Sequence, residues 1–320
     1  MSRPVSYFPI SPMMLFPNAM GSFSVYLWQG NDFVLYTRSG QTFTEKHRQT
    51  LYNNGVKEIY VQSEDKPHYE KYIEENLGSI LTNEALPLED RSRVFYEASS
   101  SVVQSVFSNK LPGALSSAYF NRVSAVVENS IRFLSSGHSL STLGPFISHD
   151  YKTYTHCIHV FIFLVAILNT YDLDEPEIFE CGLGAILHDL GKTKIPKNIL
   201  NKRGALTLGE REIIESHPMH GVSICSLLPL SQNTINCILF HHEKMDGSGY
   251  PAGLRGDDIP LPVRAIAIAD IYDALTSARP YADAMAPYEA LKLMRHKMHK
   301  ELDMDVFKRL VAVLGGANML

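Results

Sequence analysis

The 320-residue chain has no apolar run long enough to cross a bilayer. Its longest, Cys157 to Leu168, is broken by His159, and this excludes a transmembrane helix. The first twenty residues contain Pro4, Pro9, Pro12 and Pro17 but no basic start followed by an apolar block, so export is not expected. Cysteine is scarce: Cys157, Cys181, Cys225 and Cys237 form no CxxC pair and are too few for a disulfide framework. They read as reduced thiols of a cytoplasmic protein. Positive charge is not in excess, because 29 Lys and Arg face 34 Asp and Glu for a formal charge of -5. Without a local basic patch, this argues against coating DNA, RNA or an anionic membrane.

Catalytic signatures of several kinds are missing as well. There is no GxSxG elbow, no cysteine has the surroundings of a nucleophile, and no glycine-rich stretch ends in the GK[ST] of a phosphate-binding loop. Covalent catalysis and P-loop nucleotide binding therefore have no candidate. The 45% apolar content fits a globular chain of about two domains.

The first 85 residues predict a small α/β module. Val25 to Trp28 and Phe33 to Tyr36 flank the turn residues Gln29 to Asp32 as a hairpin, Thr44 caps a helix ending near Asn54, Glu58 to Val61 predict a strand, and Tyr69 to Leu77 a helix. From Leu88 the apolar period changes to three and four, as in Val94, Phe95, Ala98, Val102 and Val106, and again in Phe120, Val123, Val127 and Ile131. The Leu111-Pro112-Gly113 break separates these two helices. Further helix starts stand at Asp174-Glu175-Pro176-Glu177 and at Thr207-Leu208-Gly209-Glu210. Lys244 to Pro260 is rich in glycine and predicts a long functional loop. The expected fold is mainly α: a small α/β domain over 1–85, linking helices over 86–145, and a helical bundle over 146–320.

Histidine is what the chain has in quantity, with 13 residues. His188-Asp189 and His241-His242 each end an apolar helical stretch, and the second pair precedes the glycine-rich loop. Such dipeptides also arise by chance, but two of them so placed favour metal binding. Neighbours on a helix point roughly 100° apart, which suits two ions better than one. Asp189, with two oxygens, can bridge a pair of ions that imidazoles can only terminate. His159 reads as a core histidine or one supporting a ligand, and His220, His296 and His299 as structural or surface residues.

These segments resemble the HD-GYP family of bacterial cyclic-di-GMP phosphodiesterases. The likeness runs over roughly 146–315 through YKTYTHCIHV, HDLGKTKIP, ILNKRGALTLGE, HPMHG, HHEKMDGSGYP and AIADIYDALTSARPY. It implies an HD-type helical bundle and a metal site of His156, His188, Asp189, His217, His241, His242 and Asp270. One ion would take His156, His188, Asp189 and Asp270; the other would take Asp189, His217, His241 and His242. The resemblance further implies that Lys192 contacts the scissile phosphate, that Arg279 binds guanine or phosphate, and that Tyr250 shapes the loop beside the site. Two divalent ions are expected, with Fe or Mn favoured over Zn, acting on cyclic di-GMP to give pGpG or GMP.

The chain departs from the family pattern at two places. Lys152 stands where some members carry a carboxylate for a third metal, so a binuclear site is expected; Ala282 replaces a residue that is often basic after RPY. A phosphohydrolase of another nucleotide and a non-hydrolysing cyclic-dinucleotide receptor are the alternatives. The N-terminal module resembles a domain found ahead of HD-GYP domains, for which packing, homodimerisation and binding of a protein partner are all open.

Overall fold

The computed structural model describes residues 5–16, 21–108, 114–136, 139–147, 152–278 and 283–319. The chain divides into two compact units, residues 1–94 and 95–320.

The first unit is built on a four-stranded antiparallel sheet of order β1-β4-β2-β3, with β1 Tyr7–Ile10, β2 Val25–Gln29, β3 Asp32–Thr37 and β4 Ile59–Gln62. Between β3 and β4 lies α1, Glu45–Asn53, whose N-cap Thr44 accepts from the His47 amide; α2, Lys66–Leu81, follows β4. The hairpin, both helices and β4 stand where the sequence pattern puts them, α2 beginning earlier and ending later than Tyr69 to Leu77. The strand β1 is an addition. Pro9 hides it from a strand pattern, and an edge strand tolerates proline because one side of its ladder is unpaired. Alternation divides the sheet. Ile10, Val25, Ile59 and Val61 are buried, while Tyr7, Tyr26, Trp28, Phe33 and Tyr60 form an aromatic group on the other face, with Tyr7 stacked on Phe33 at 3.9 Å.

Helices make up the rest. The border between the units falls inside α3, Leu88–Ser108; then come α4, Ser117–Ser135, and the short α5, Ser139–Leu143. The Leu111-Pro112-Gly113 break lies outside the described residues. The centre of the second unit is α6, Thr153–Leu168, an almost wholly buried helix packed against α7, Glu175–Leu187, and α12, Leu261–Thr276. Around them lie α8, Lys197–Leu200; α9, Leu208–Glu215; α10, His217–Ile224; and α11, Gln232–Phe240. The last two helices are α13, Pro287–Lys297, and α14, Met304–Gly316. Capping boxes at Asp174 and Thr207 start α7 and α9, as their sequences predict. The architecture is the mainly helical one expected, with a small α/β portion at the N-terminus. No described helix is long and apolar enough to cross a membrane. All four cysteines are buried and free.

Two close approaches fix the segments that carry the site. The turn after α7 presses on α10 so tightly that a Cβ on Gly191 would stand 1.8 Å from the His217 carbonyl oxygen. In the loop after α11, a Cβ on Gly249 would stand 2.5 Å from the Glu243 Cα and the His242 carbonyl oxygen. That loop folds around one buried carboxylate: Glu243 accepts from the amides of Ala252, Gly253 and Leu254 at 2.7, 3.1 and 2.9 Å. Hydrogen bonds to a carboxylate are of the strong class, so this clasp restrains the glycine-rich segment together with the hydrogen bond from the Met245 amide to the Glu301 carbonyl. Glu243→Gln keeps the size but removes the charge and one acceptor. It is expected to weaken the clasp by about 2 kcal/mol and to speed hydrogen exchange at Ala252 to Leu254 while α6 stays protected, as read by exchange mass spectrometry.

Candidate metal centre

Three helix ends and two helix faces converge on one buried point. His188 is the C-cap of α7 with Asp189 following it, His217 opens α10, and His241 is the C-cap of α11 with His242 next; His156 comes from α6 and Asp270 from α12. The carbonyl ends of α7 and α11 both point their negative partial charge toward this region, which favours a cation.

Backbone carbonyls set the imidazoles. His188, His217 and His241 each donate from Nδ1 to the carbonyl three residues earlier, Ala185 at 2.7 Å, Ile214 at 2.8 Å and Ile238 at 2.9 Å. His156 donates from Nδ1 to Asp273 Oδ2 at 2.6 Å. With Nδ1 protonated in all four rings, a neutral imidazole presents its Nε2 lone pair inward. The ligand atoms then gather into two triads, His156, His188 and Asp270, and His217, His241 and His242, each within 4.8 Å. Asp189 lies between them. Its Oδ2 is 3.7 and 3.6 Å from Nε2 of His156 and His188, and its Oδ1 is 3.4 and 3.9 Å from Nε2 of His217 and His241.

The atoms themselves call for a cation. Nε2 of His217 and of His241 face each other at 3.1 Å, an arrangement of two lone pairs that needs a positive species between them. His188 Nε2 and Asp189 Oδ1 are buried with no hydrogen-bond partner among the described residues, although a buried polar atom in that state is costly. Burial holds the His188 pKa below its usual value and the His241 pKa well below, and lowers His242 to about 3, so these rings are neutral ligands near neutral pH. Burial works against ionisation of Asp189, but Lys192, His188 and His217 outweigh it and hold its carboxyl well below the usual range. Asp270 is likewise lowered: the cost of burial is overcome by His156, His242 and His188. Neutral imidazoles around ionised carboxylates are the donor set of a divalent metal.

Exposure within the cluster is uneven among the described residues. His156, His188 and Asp189 are sealed, whereas the side chains of His242, Lys192 and Asp270 remain 24, 17 and 10% exposed. Lys192 sits at this more exposed part, the mouth of the cluster, with its ammonium 2.6 Å from Asp189 Oδ2. Tyr250, half-buried, lies with its ring 4.8 Å from that of His242. Arg279 and Ala282 lie outside the described residues. His220, His296 and His299 are exposed, as read from the sequence.

Three residues at or beside the centre escaped the sequence reading. Asp273 joins His156 to His159; its signal was the Asp270-x-x-Asp273 spacing, which puts both carboxylates on one face of α12. Glu243 clasps the loop, a role nothing in HHE announces. Cys157 lies within ligand distance of His188 and Asp189, but burial, reinforced by Asp189, pushes its thiol pKa well up, so it is a neutral neighbour.

Comparison with known proteins adds what this chain is similar to. Residues 156–306 match the HD domain model, a span that runs from the first histidine of the cluster into α14. The chain is 35% identical over 191 residues to the Pseudomonas aeruginosa cyclic di-GMP phosphodiesterase PA4108, a match covering 59% of this chain and 46% of that protein. It is 38% identical over 130 residues to 3'3'-cGAMP-specific phosphodiesterase 3 of Vibrio cholerae, covering 41% of this chain and 28% of that protein. The match thus spans less than half the length of either relative. Among solved structures, Bd1817, an HD-GYP-type protein of Bdellovibrio bacteriovorus, aligns over 97% of this chain and all of its own with a TM-score of 0.63 at 19% identity, a likeness of fold. The HD domain match over residues 156–306 thus encloses every residue of the cluster, and the Pseudomonas and Vibrio relatives are cyclic-dinucleotide phosphodiesterases by name.

Proposed function

We propose that this chain is a metal-dependent phosphodiesterase that hydrolyses cyclic di-GMP to pGpG, its catalytic domain spanning residues 146–320. The observation that carries the reading is Asp189, whose two carboxylate oxygens are each turned toward a different His-containing triad. In this reading His156, His188, Asp189 and Asp270 hold one ion, and Asp189, His217, His241 and His242 the other. Mixed imidazole and carboxylate donors suit Fe or Mn, with Zn as the third choice. Bound there, the pair would polarise a phosphodiester and supply an activated water.

The side chains do the rest. Lys192 stands at the open mouth and can exchange its bond to Asp189 for one to a phosphate oxygen, steadying the charge that develops as the ester breaks. Tyr250, placed by the Glu243 clasp, bounds the mouth beside His242. His156, His188 and Asp189 are themselves buried from bulk water. Arg279, by resemblance, engages guanine or phosphate. To the module of residues 1–85 we assign a partner-binding or dimerising role, with 86–145 linking it to the catalytic domain.

Relatives named for cyclic di-GMP and for 3'3'-cGAMP both match this chain, so the decisive assay supplies the metal-loaded protein with each dinucleotide and separates the products by chromatography. Preferential release of pGpG supports the proposal. Faster turnover of 3'3'-cGAMP moves the substrate to that dinucleotide, and tight binding without turnover of either leaves a receptor.

Elemental analysis is expected to find about two ions per chain. Asp189→Ala is expected to lose both metal and turnover, whereas His220→Ala, at an exposed position, keeps both. Arg279→Ala is expected to weaken cyclic-di-GMP binding about tenfold with metal content unchanged, as measured by nucleotide titration.

Acid should destabilise the metal-stripped protein. Below about pH 6.5 the unfolded chain protonates histidines that the folded chain holds neutral, so stability falls as pH drops toward the depressed folded values. Asp189 and Asp270, also depressed, add a loss of the same sign once the pH passes below about 4. In the presence of chelator, the melting temperature should drop by about 5 °C or more between neutral pH and pH about 4.

A further inference from the structure

Behind His156 lies a chain of hydrogen bonds that leaves the HD domain. Asp273, fully buried on α12, accepts from His156 Nδ1 on one oxygen at 2.6 Å and from His159 Nδ1 on the other at 2.8 Å. His159 lies one helical turn beyond His156 on α6 and is itself buried. The other ring nitrogen of His159, Nε2, stands 2.9 Å from the Tyr96 hydroxyl. The hydroxyl and the ring share one hydrogen bond. Tyr96 belongs to α3, outside residues 156–306, and its ring also stacks on that of Phe146 at 6.1 Å.

Each bond in this series fixes the next. The phenol holds the His159 ring in one orientation, the ring holds one carboxylate oxygen of Asp273, and the other oxygen holds His156 with its Nε2 facing Asp189 and Asp270, at 3.7 and 2.9 Å. Groups that bond the far side of a metal-binding imidazole orient it and raise its basicity. The three other imidazoles fixed through Nδ1 are held by carbonyls of their own chain segment. His156 is held instead by a side chain that a further histidine and a tyrosine keep in place.

We propose that Tyr96 is a positioning residue of the metal centre, acting through His159 and Asp273 to orient His156 and raise the affinity of the ion that it binds. This rests on reading the cluster as a metal site and adds a control point from α3, a helix that precedes the HD domain.

The test uses the full chain stripped with chelator and titrated with Mn²⁺. Tyr96→Phe keeps the ring and its stacking but deletes the hydroxyl, and is expected to lower Mn²⁺ affinity roughly fivefold, the worth of one hydrogen bond. Asp273→Asn is expected to lower it at least about tenfold. In a His159→Ala background the hydroxyl has lost the partner through which it reaches the site, so Tyr96→Phe should be silent there. An equal loss in both backgrounds would mark Tyr96 as a packing residue and overturn the proposal. The ¹⁵N signals of His156 give an independent reading on Tyr96→Phe alone should His159→Ala fail to fold: a shifted Nε2 signal supports the relay, and unchanged signal and affinity overturn it. Absence of Mn²⁺ binding by the unaltered chain would instead refute the metal reading of the whole cluster.

Discussion

A carboxylate sealed from water on every side governs this half of the molecule. Asp189 is fully buried and ionised, and the cost of holding such a charge away from solvent is met only if positive or hydrogen-bonding groups surround it. Much of the helical unit can be understood as satisfying that demand. Two helices end, and a third begins, where their terminal residues can face Asp189; α6 and α12 cross behind it to add His156 and Asp270; and Lys192 closes the side nearest solvent. The carbonyls that fix the imidazoles are those left spare at helix ends or accept the ring as an additional bond, so orienting the ligands costs little backbone structure.

The same demand separates rigid from adjustable parts. The buried imidazoles are held by short bonds to the backbone or to Asp273. The residues at the mouth, Lys192, His242 and Tyr250, keep partial exposure and the freedom to change partners. The site thus combines fixed charge behind with a cation, Lys192, in front of it.

How far this was legible in the chain depended on the range of the interaction. Helices in the second unit were readable because apolar residues recur at helical spacing and because Asp174 and Thr207 carry local capping signals. His188-Asp189 and His241-His242 were visible as adjacent ligand types. His156, His217 and Asp270 were not: each is a single residue in an ordinary helical segment, and only the likeness to a family whose motifs extend across the domain brought them in. Asp273 and Tyr96 act through partners 117 and 63 residues distant, and no local pattern reports a hydrogen bond of that range. The strand β1 was missed for the opposite reason, since Pro9 is a local signal against a strand that only the edge position of β1 overrules.

The Glu243 clasp has a consequence for how this loop can vary through descent. Surface loops ordinarily gain and lose residues freely because nothing measures their length. Here a single carboxylate, adjacent in sequence to His242, grips three successive amides 9, 10 and 11 residues further on. A residue inserted or removed between Lys244 and Pro251 would bring the wrong amides to the carboxylate or carry Tyr250 off the rim of the site. Exposed side chains within the span are free to diverge, but its length is counted out from Glu243, so this connection should drift in composition while keeping its number of residues.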